Sequence, residues 1–243
     1  MKIAINGMGR IGRAALKVIL ETPELELVAV NDIVSIENIV YLMKYDSVYG
    51  IYEKEVSHDA ENLIIDGQKI KYNSLRNPEE LPWKENNIDV VIESTGFFTA
   101  QEDAEKHINA GAKTVIISAP TKSENTPTVV HGVNSKDGKT NIFSCASCTT
   151  NNISPLTFVM ERTVTVEEVN AILKEEAKTS RYQKVLDTTT EPIVSSDIVK
   201  SPIASTVDLS MTRVVDGDLL KVMTWYDNEW GFTNQMIRQI LEI

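Results

Sequence analysis

Three glycines, Gly7, Gly9 and Gly12, stand as G-x-G-x-x-G between a short apolar run, Ile3 to Asn6, and a stretch with apolar residues at Ile11, Ala14, Ala15, Val18 and Ile19. No other feature restricts the fold as strongly. The run before the glycines reads as a strand, and the spacing after them as a helix over Arg10 to Leu20. Beyond Pro23, Leu25 to Val30 reads as a second strand. Strand, helix and strand within about thirty residues make a βαβ unit, whose strands lie parallel. At such a junction each glycine has its own task. Gly7 permits the tight turn, Gly9 lets the backbone approach a diphosphate, and Gly12 lets the helix pack closely on the strand. The free N–H groups and dipole at the helix start favour the anion. A purely structural turn would use the same residues, so the glycines alone are a weak signal. Asp32 strengthens it, since it ends the second strand 20 residues after Gly12. A carboxylate there accepts hydrogen bonds from ribose hydroxyls and repels a 2′-phosphate. Apolar Ile33 follows with no arginine beside it, so the predicted cofactor is NAD and not NADP.

The alternation continues along the chain. Ile36 to Lys44 reads as helix, Leu63 to Ile65 with Lys69 to Tyr72 as a hairpin across Asp66-Gly67, and Ile88 to Glu93 as a buried strand. Ala100 to Ala110 reads as a helix closed by Gly111, and Thr114 to Ser118 as another strand. After Cys148 the pattern changes. Thr157 to Glu161 reads as a strand, and Thr165 to Lys178 as a helix with Thr165 and Glu168 as a capping box. Thr206 to Val215 and Leu219 to Tyr226 read as strands joined at Asp216-Gly217, and Asn228 to Ile243 as a closing helix. Local pairing suits an antiparallel sheet. The fold class is therefore α/β: a Rossmann-type doubly wound parallel sheet over 1–148, then an α+β, mostly antiparallel domain over 149–227. The helix over 228–243 is expected to return to the first domain.

With 243 residues there is room for one large domain or two modest ones, and 42% hydrophobic against 24% charged residues is an ordinary globular balance. A net charge of −11 opposes a nucleic-acid or membrane-surface role. The longest apolar runs, such as Val90 to Ile92, are far too short to cross a bilayer. The start, MKIAINGMGR, has no basic segment before a long apolar one, so a cytoplasmic setting is expected. Two cysteines, Cys145 and Cys148, form a C-x-x-C that reads either as two small packed residues or as a redox pair.

INGMGRIGR (5–13), KYDSVYG (44–50), ESTGFF (93–98), SAP (118–120), ASCTTN (146–151) and WYDNEWG (225–231) follow one another in this order. Together they resemble the signature blocks of the phosphorylating glyceraldehyde-3-phosphate dehydrogenase family. The resemblance implies a homotetramer that oxidises glyceraldehyde 3-phosphate with NAD and inorganic phosphate. It implies Cys148 as the nucleophile, with Ser147 and Thr149 on the phosphate side of its thioester. Around NAD it implies Arg10 and Ile11 at the pyrophosphate, Arg76 on the adenine side, Thr95 and Ser118 in the cleft, and Asn228 at the nicotinamide carboxamide. A thiol at a helix start is a plausible nucleophile on chemical grounds as well, because such positions favour thiolate.

Two departures stand out. The family's histidine base lies on a strand beyond the cysteine helix, whereas His58, His107 and His131 all precede Cys148 here. His58 is expected on a loop and His107 on a surface helix, each solvated or structural. In addition, NNISP (151–155) runs straight into LTFVMER (156–162), which resembles a strand that the family places much later. One internal block is thus missing, at a join near Pro155 and Leu156, and with it the loop and phosphate-binding residues the family carries there. The enzyme of this family is the leading reading, and an inactive NAD-binding scaffold its rival.

Overall fold

A computed structural model describes residues 1–135, 140–154 and 162–243. The chain divides into two compact units, Met1–Val129 with Lys136–Ala146 and Ile240–Ile243, and Val130–Ser135 with Ser147–Gln239.

The first unit opens with β1 (Lys2–Asn6), α1 (Arg10–Ile19) and β2 (Glu26–Asn31), followed by α2 (Ile36–Lys44) and the two-residue strands β3 (Tyr45–Asp46) and β4 (Gly50–Ile51). Then come β5 (Val56–His58), β6 (Asn62–Ile65), β7 (Gln68–Asn73), β8 (Val90–Glu93), α3 (Gln101–Asn109), β9 (Thr114–Ile117) and β10 (Ile142–Ser144). Eight of the strands form one sheet in the order β10-β9-β8-β1-β2-β7-β6-β5. From β10 to β7 every pairing is parallel, and β6 and β5 add an antiparallel edge. The central strands are unbroken apolar runs because both faces are covered: Ile3 and Ile5, Val91 and Ile92, and Val115 to Ile117 are all buried. Helix α1 buries Ala14, Ala15, Leu16, Val18 and Ile19, the face its spacing marks out.

The β6–β7 hairpin turns on Asp66 (φ 47°) and Gly67 (φ 81°), both left-handed as a two-residue hairpin turn requires. The chain runs from β1 to β2 on one side and later inserts β8 on the other side of β1. That reversal is a topological switch point, and open α/β sheets bind ligands beyond the carboxyl ends of strands at such a point. Strands β3, β4, β5 and β10 are too short to show a period and escape sequence reading. Of the two expectations for His107, solvated or structural, the second holds: its helix is rich in charge, yet its ring is fully buried, three residues on from buried Ala104.

The second unit contains α4 (Cys148–Ile153), α5 (Val166–Glu176), β11 (Leu186–Thr189), β12 (Ser205–Val215), β13 (Leu219–Trp225) and α6 (Trp230–Leu241). Thr165 caps α5, its hydroxyl accepting from the Glu168 N–H at 3.2 Å. That helix lays Val169 and Leu173 on Leu186, Val207 and Leu209. β12 and β13 pair antiparallel across Asp216-Gly217, while β11, whose LDTT lacks apolar alternation, joins β12 in parallel. The closing helix clusters with this unit up to Gln239, and only Ile240–Ile243 belongs to the first. The reason is polar as much as apolar: Gln235 Nε2 donates to the Pro202 carbonyl at 2.9 Å and to that of Lys184 at 3.2 Å. The strand expected over 157–161 and the join near Pro155 and Leu156 lie outside the described residues. Among the described residues no helix is long and apolar enough to cross a membrane.

Candidate cofactor cradle and nucleophile

The three glycines differ in what surrounds them. A Cβ on Gly7 (φ 97°) would lie 2.7 Å from the Thr95 nitrogen, and one on Gly12 would lie 1.9 Å from the Gly7 carbonyl oxygen. A Cβ on Gly9 would meet nothing within 4 Å. Gly7 and Gly12 are therefore demanded by the protein's own packing. Gly9, exposed at the N-cap of α1, is demanded by nothing in the chain. A backbone left bare at the start of a ten-residue helix fits a diphosphate. Arg10 beside it is exposed and reaches Asp46 at 3.4 Å, and Ile11 is half-buried.

Asp32, half-buried just past β2, is oriented on both sides. Its Oδ2 accepts from the Met8 N–H at 2.6 Å, inside the glycine turn, and its Oδ1 from the Val34 N–H at 2.9 Å. The Tyr72 hydroxyl donates to the Val34 carbonyl at 2.5 Å. Burial, and then the Asp32 charge, push that hydroxyl well above the usual tyrosine range, so it remains a donor. Arg76 is exposed and directly follows Leu75, whose backbone N–H donates to Asn31 Oδ1 at 2.9 Å. Thr95 follows β8 and backs the glycine turn, its N–H donating to Glu93 Oε1 at 2.8 Å. Ser118, half-buried past β9, donates its N–H to the Glu93 carbonyl at 3.0 Å. Gly7, Asp32 and Thr95 thus converge at the switch point.

In the second unit Cys148 is the first residue of α4. Ser147 caps that helix, its hydroxyl accepting from the Thr150 N–H at 3.0 Å. The Cys148 sulfur lies 4.0 Å from Thr149 Oγ1, which is 3.0 Å from the Tyr226 hydroxyl. Asn152 Nδ2 donates to Thr224 Oγ1 at 2.9 Å, so α4 is tied to the end of β13 at two points. Asn228 is exposed in the turn before α6. Neighbouring Asp227 fixes that turn by accepting from the Glu229, Trp230 and Lys200 N–H groups at 2.9, 2.7 and 2.9 Å.

The two cysteines differ sharply, and neither is in a disulfide. Cys145 is buried, and burial pushes its thiol up to about 12, whereas Cys148 is only half-buried. The thiolate is the form that alkylates. Brief treatment with iodoacetamide at neutral pH is therefore expected to modify Cys148 and spare Cys145, as read by peptide mass. Comparable labelling of both would overturn the distinction and revive the redox pair.

None of the histidines lies beyond Cys148 in the chain. His58 is exposed on β5, with Nδ1 3.1 Å from the Asp59 carbonyl, His131 is half-buried in a turn, and His107 is enclosed by Trp83 and Glu93. Sequence reading also missed Asn6, Asn31 and Glu93, buried polar residues at the ends of β1, β2 and β8. The signal was present: three apolar strands each end on a residue that normally seeks water.

Residues 1–101 match the family model described as the glyceraldehyde 3-phosphate dehydrogenase NAD-binding domain, and residues 98–228 the model of the C-terminal domain of the same enzyme. Among characterised relatives, glyceraldehyde-3-phosphate dehydrogenase of Zymomonas mobilis is 36% identical, with 98% of this chain and 96% of that protein covered. The Geobacillus stearothermophilus enzyme is 35% identical over 98% and 96%, and that of Thermotoga maritima 34% over 97% of each. The comparison with the Zymomonas protein spans 325 residues against 243 in this chain, so the relative carries an internal stretch that this chain skips.

Proposed function

The chain belongs to the glyceraldehyde 3-phosphate dehydrogenase family, and from that premise we propose that it oxidises and phosphorylates glyceraldehyde 3-phosphate to 1,3-bisphosphoglycerate with NAD. The observation that supports this most directly is a cysteine at the head of a capped helix, beside Ser147 and Thr149, in a chain whose first unit is built for a dinucleotide. The cofactor fits the residues present, because Gly9 alone of the three glycines is left without a neighbour and Asp32 is already aimed. NAD, when bound, supplies the two-electron acceptor. Gly7, Gly9, Arg10, Ile11 and Gly12 would hold its pyrophosphate, Asp32 its adenosine ribose and Arg76 its adenine side. Thr95 and Ser118 would line the cleft, and Asn228 would take the carboxamide.

The chain's own chemistry runs through Cys148. Its sulfur attacks the aldehyde carbon, a C–S bond forms, and the carbonyl pair moves to oxygen to give a hemithioacetal. Loss of a hydride from that carbon and of the hydroxyl proton leaves a thioester. An oxygen of inorganic phosphate then attacks the thioester carbon, the C–S bond breaks, and its electron pair returns to sulfur. Ser147 and Thr149 offer hydroxyls on the side that phosphate approaches. A cytoplasmic homotetramer acting in glycolysis completes the reading.

NADH formation that requires both glyceraldehyde 3-phosphate and phosphate tests the reaction. NAD binding without any acyl-enzyme would leave the scaffold reading in its place. The cofactor preference has its own test. Asp32→Ala is expected to weaken NAD by roughly tenfold or more, the scale of a lost charged hydrogen bond, while NADP, relieved of the repelling carboxylate, binds no more weakly, so the gap between the two narrows. Equal affinities of the parent chain for NAD and NADP, measured by calorimetry, would sink the assignment.

A further inference from the structure

The geometry points to Glu93 as a positioning residue for the cofactor. It acts through a buried chain, His107–Glu93–Asn6–Asn31, that holds the Thr95 turn and the Leu75–Arg76 segment on the two sides of the glycine turn. The proposal rests on the cofactor reading above and adds what sets the cleft's width and register.

The Glu93 carboxylate is buried and faces four donors. Its Oε1 accepts from the Thr95 N–H at 2.8 Å and from the Thr95 hydroxyl. Its Oε2 accepts from Asn6 Nδ2 at 2.6 Å and from His107 Nε2 at 3.0 Å. The histidine tautomer is fixed from behind. The Trp83 indole can only donate, and does so to His107 Nδ1 at 3.0 Å, which leaves the ring proton on Nε2 facing the carboxylate. The pair is therefore a neutral histidine donating to a carboxylate.

Asn6 passes the constraint on. With Nδ2 committed to Glu93, its Oδ1 accepts from Asn31 Nδ2 at 2.7 Å. Asn31 then grips the Leu75 backbone at both atoms, Nδ2 donating to the carbonyl at 3.0 Å and Oδ1 accepting from the N–H at 2.9 Å. Each amide can point only one way, because its neighbour accepts or donates accordingly. The chain ends on backbone atoms of two loops, and Arg76 follows directly on the gripped residue.

Stability alone gives no reason for such an arrangement. Buried charged networks can often be replaced by apolar packing with no loss of stability. Here the polar chain sits only at the carboxyl ends of β8, β1 and β2, where the ligand is expected, while the strand interiors are apolar. Glu93→Gln puts an amide N–H where an acceptor is needed. Whichever way it turns, either the Thr95 N–H or Asn6 and His107 lose a partner.

The test uses calorimetry with NAD on four chains: parent, Glu93→Gln, Asn31→Ala and the double variant. Each single change is expected to weaken NAD by roughly tenfold, raising KM for NAD and sparing kcat at saturation. The double variant should lose clearly less than the product of the two, because both act on one chain. In the unliganded protein, hydrogen exchange at the Leu75 and Thr95 amides should quicken in Glu93→Gln while Val91 and Ile116 exchange as in the parent. Unchanged NAD affinity in folded variants, or fully multiplicative losses, would overturn the relay. Failure of the parent to bind NAD would instead overturn the cofactor reading. If Glu93→Gln does not fold, Asn31→Ala decides, since it touches only the far end: parental affinity and parental Leu75 exchange would sink the proposal.

Discussion

Cys148→Ala is expected to end thioester formation on the enzyme while NAD binds as it does to the parent chain. In the proposed reaction the sulfur supplies the bond that holds the substrate carbon through oxidation, and neighbouring Ser147 and Thr149 carry hydroxyls too weakly nucleophilic to replace it. Removal of the nucleophile from an acyl-transfer enzyme costs about 10⁶-fold in turnover. The parent, however, has a ceiling of its own. None of the three histidines stands beyond Cys148, where the family carries its base, and loss of a general base costs about 10²–10⁴-fold. Its turnover is therefore expected to lie that far below a relative that carries the histidine, and the further fall on removing Cys148 to shrink accordingly. A cysteine still attacks slowly unaided, because sulfur is intrinsically very nucleophilic. Intact-mass detection of the acyl-enzyme after a single addition of aldehyde and NAD separates the cases. An adduct on the parent and none on the variant is the expected pattern, and NADH formation by the variant at the parental rate would show that the nucleophile lies elsewhere.

The second large effect divides the glycines. Gly12→Ala brings a Cβ to 1.9 Å from the Gly7 carbonyl oxygen, between a helix and a turn that cannot both retreat. A destabilisation of about 3 kcal/mol or more is expected, with a lower thermal midpoint and cofactor binding lost as a consequence. Gly9→Val should do the reverse. The backbone there is extended (φ −66°, ψ −163°), open to any residue, and an added Cβ meets nothing within 4 Å beyond its chain neighbours. The melting curve should stay where it is while calorimetric heat with NAD disappears. Parental NAD affinity in Gly9→Val would mean that the diphosphate lies somewhere other than the start of α1.

Much of the first unit was legible because its signals are local. The glycines, the apolar strands around them and the Asp66-Gly67 turn each announce themselves within a few residues, as does the Thr165 cap of α5. What escaped is what distant segments impose. β11 is a strand because β12 offers it a partner, and LDTT carries no period of its own. His107 lies in QEDAEKHIN, whose charge leaves solvated and structural readings both open, and its burial depends on Trp83, Glu93 and Asn6 arriving from three other segments. Cys148 is singled out chiefly by its surrounding block, since a position at the start of a six-residue helix is by itself a weak mark of reactivity.

The double tether on Asp32 has a kinetic meaning. Its carboxylate is held by Met8 and Val34 before any ligand arrives, so little ordering is left for the encounter itself. An acceptor set in advance does not alter how often dinucleotides reach the cleft. It alters how long they stay, because a ligand that cannot satisfy it, or that brings a second negative charge against it, leaves sooner. On the proposed role of Asp32, discrimination between the two nicotinamide dinucleotides is expected to show in residence time more than in arrival rate.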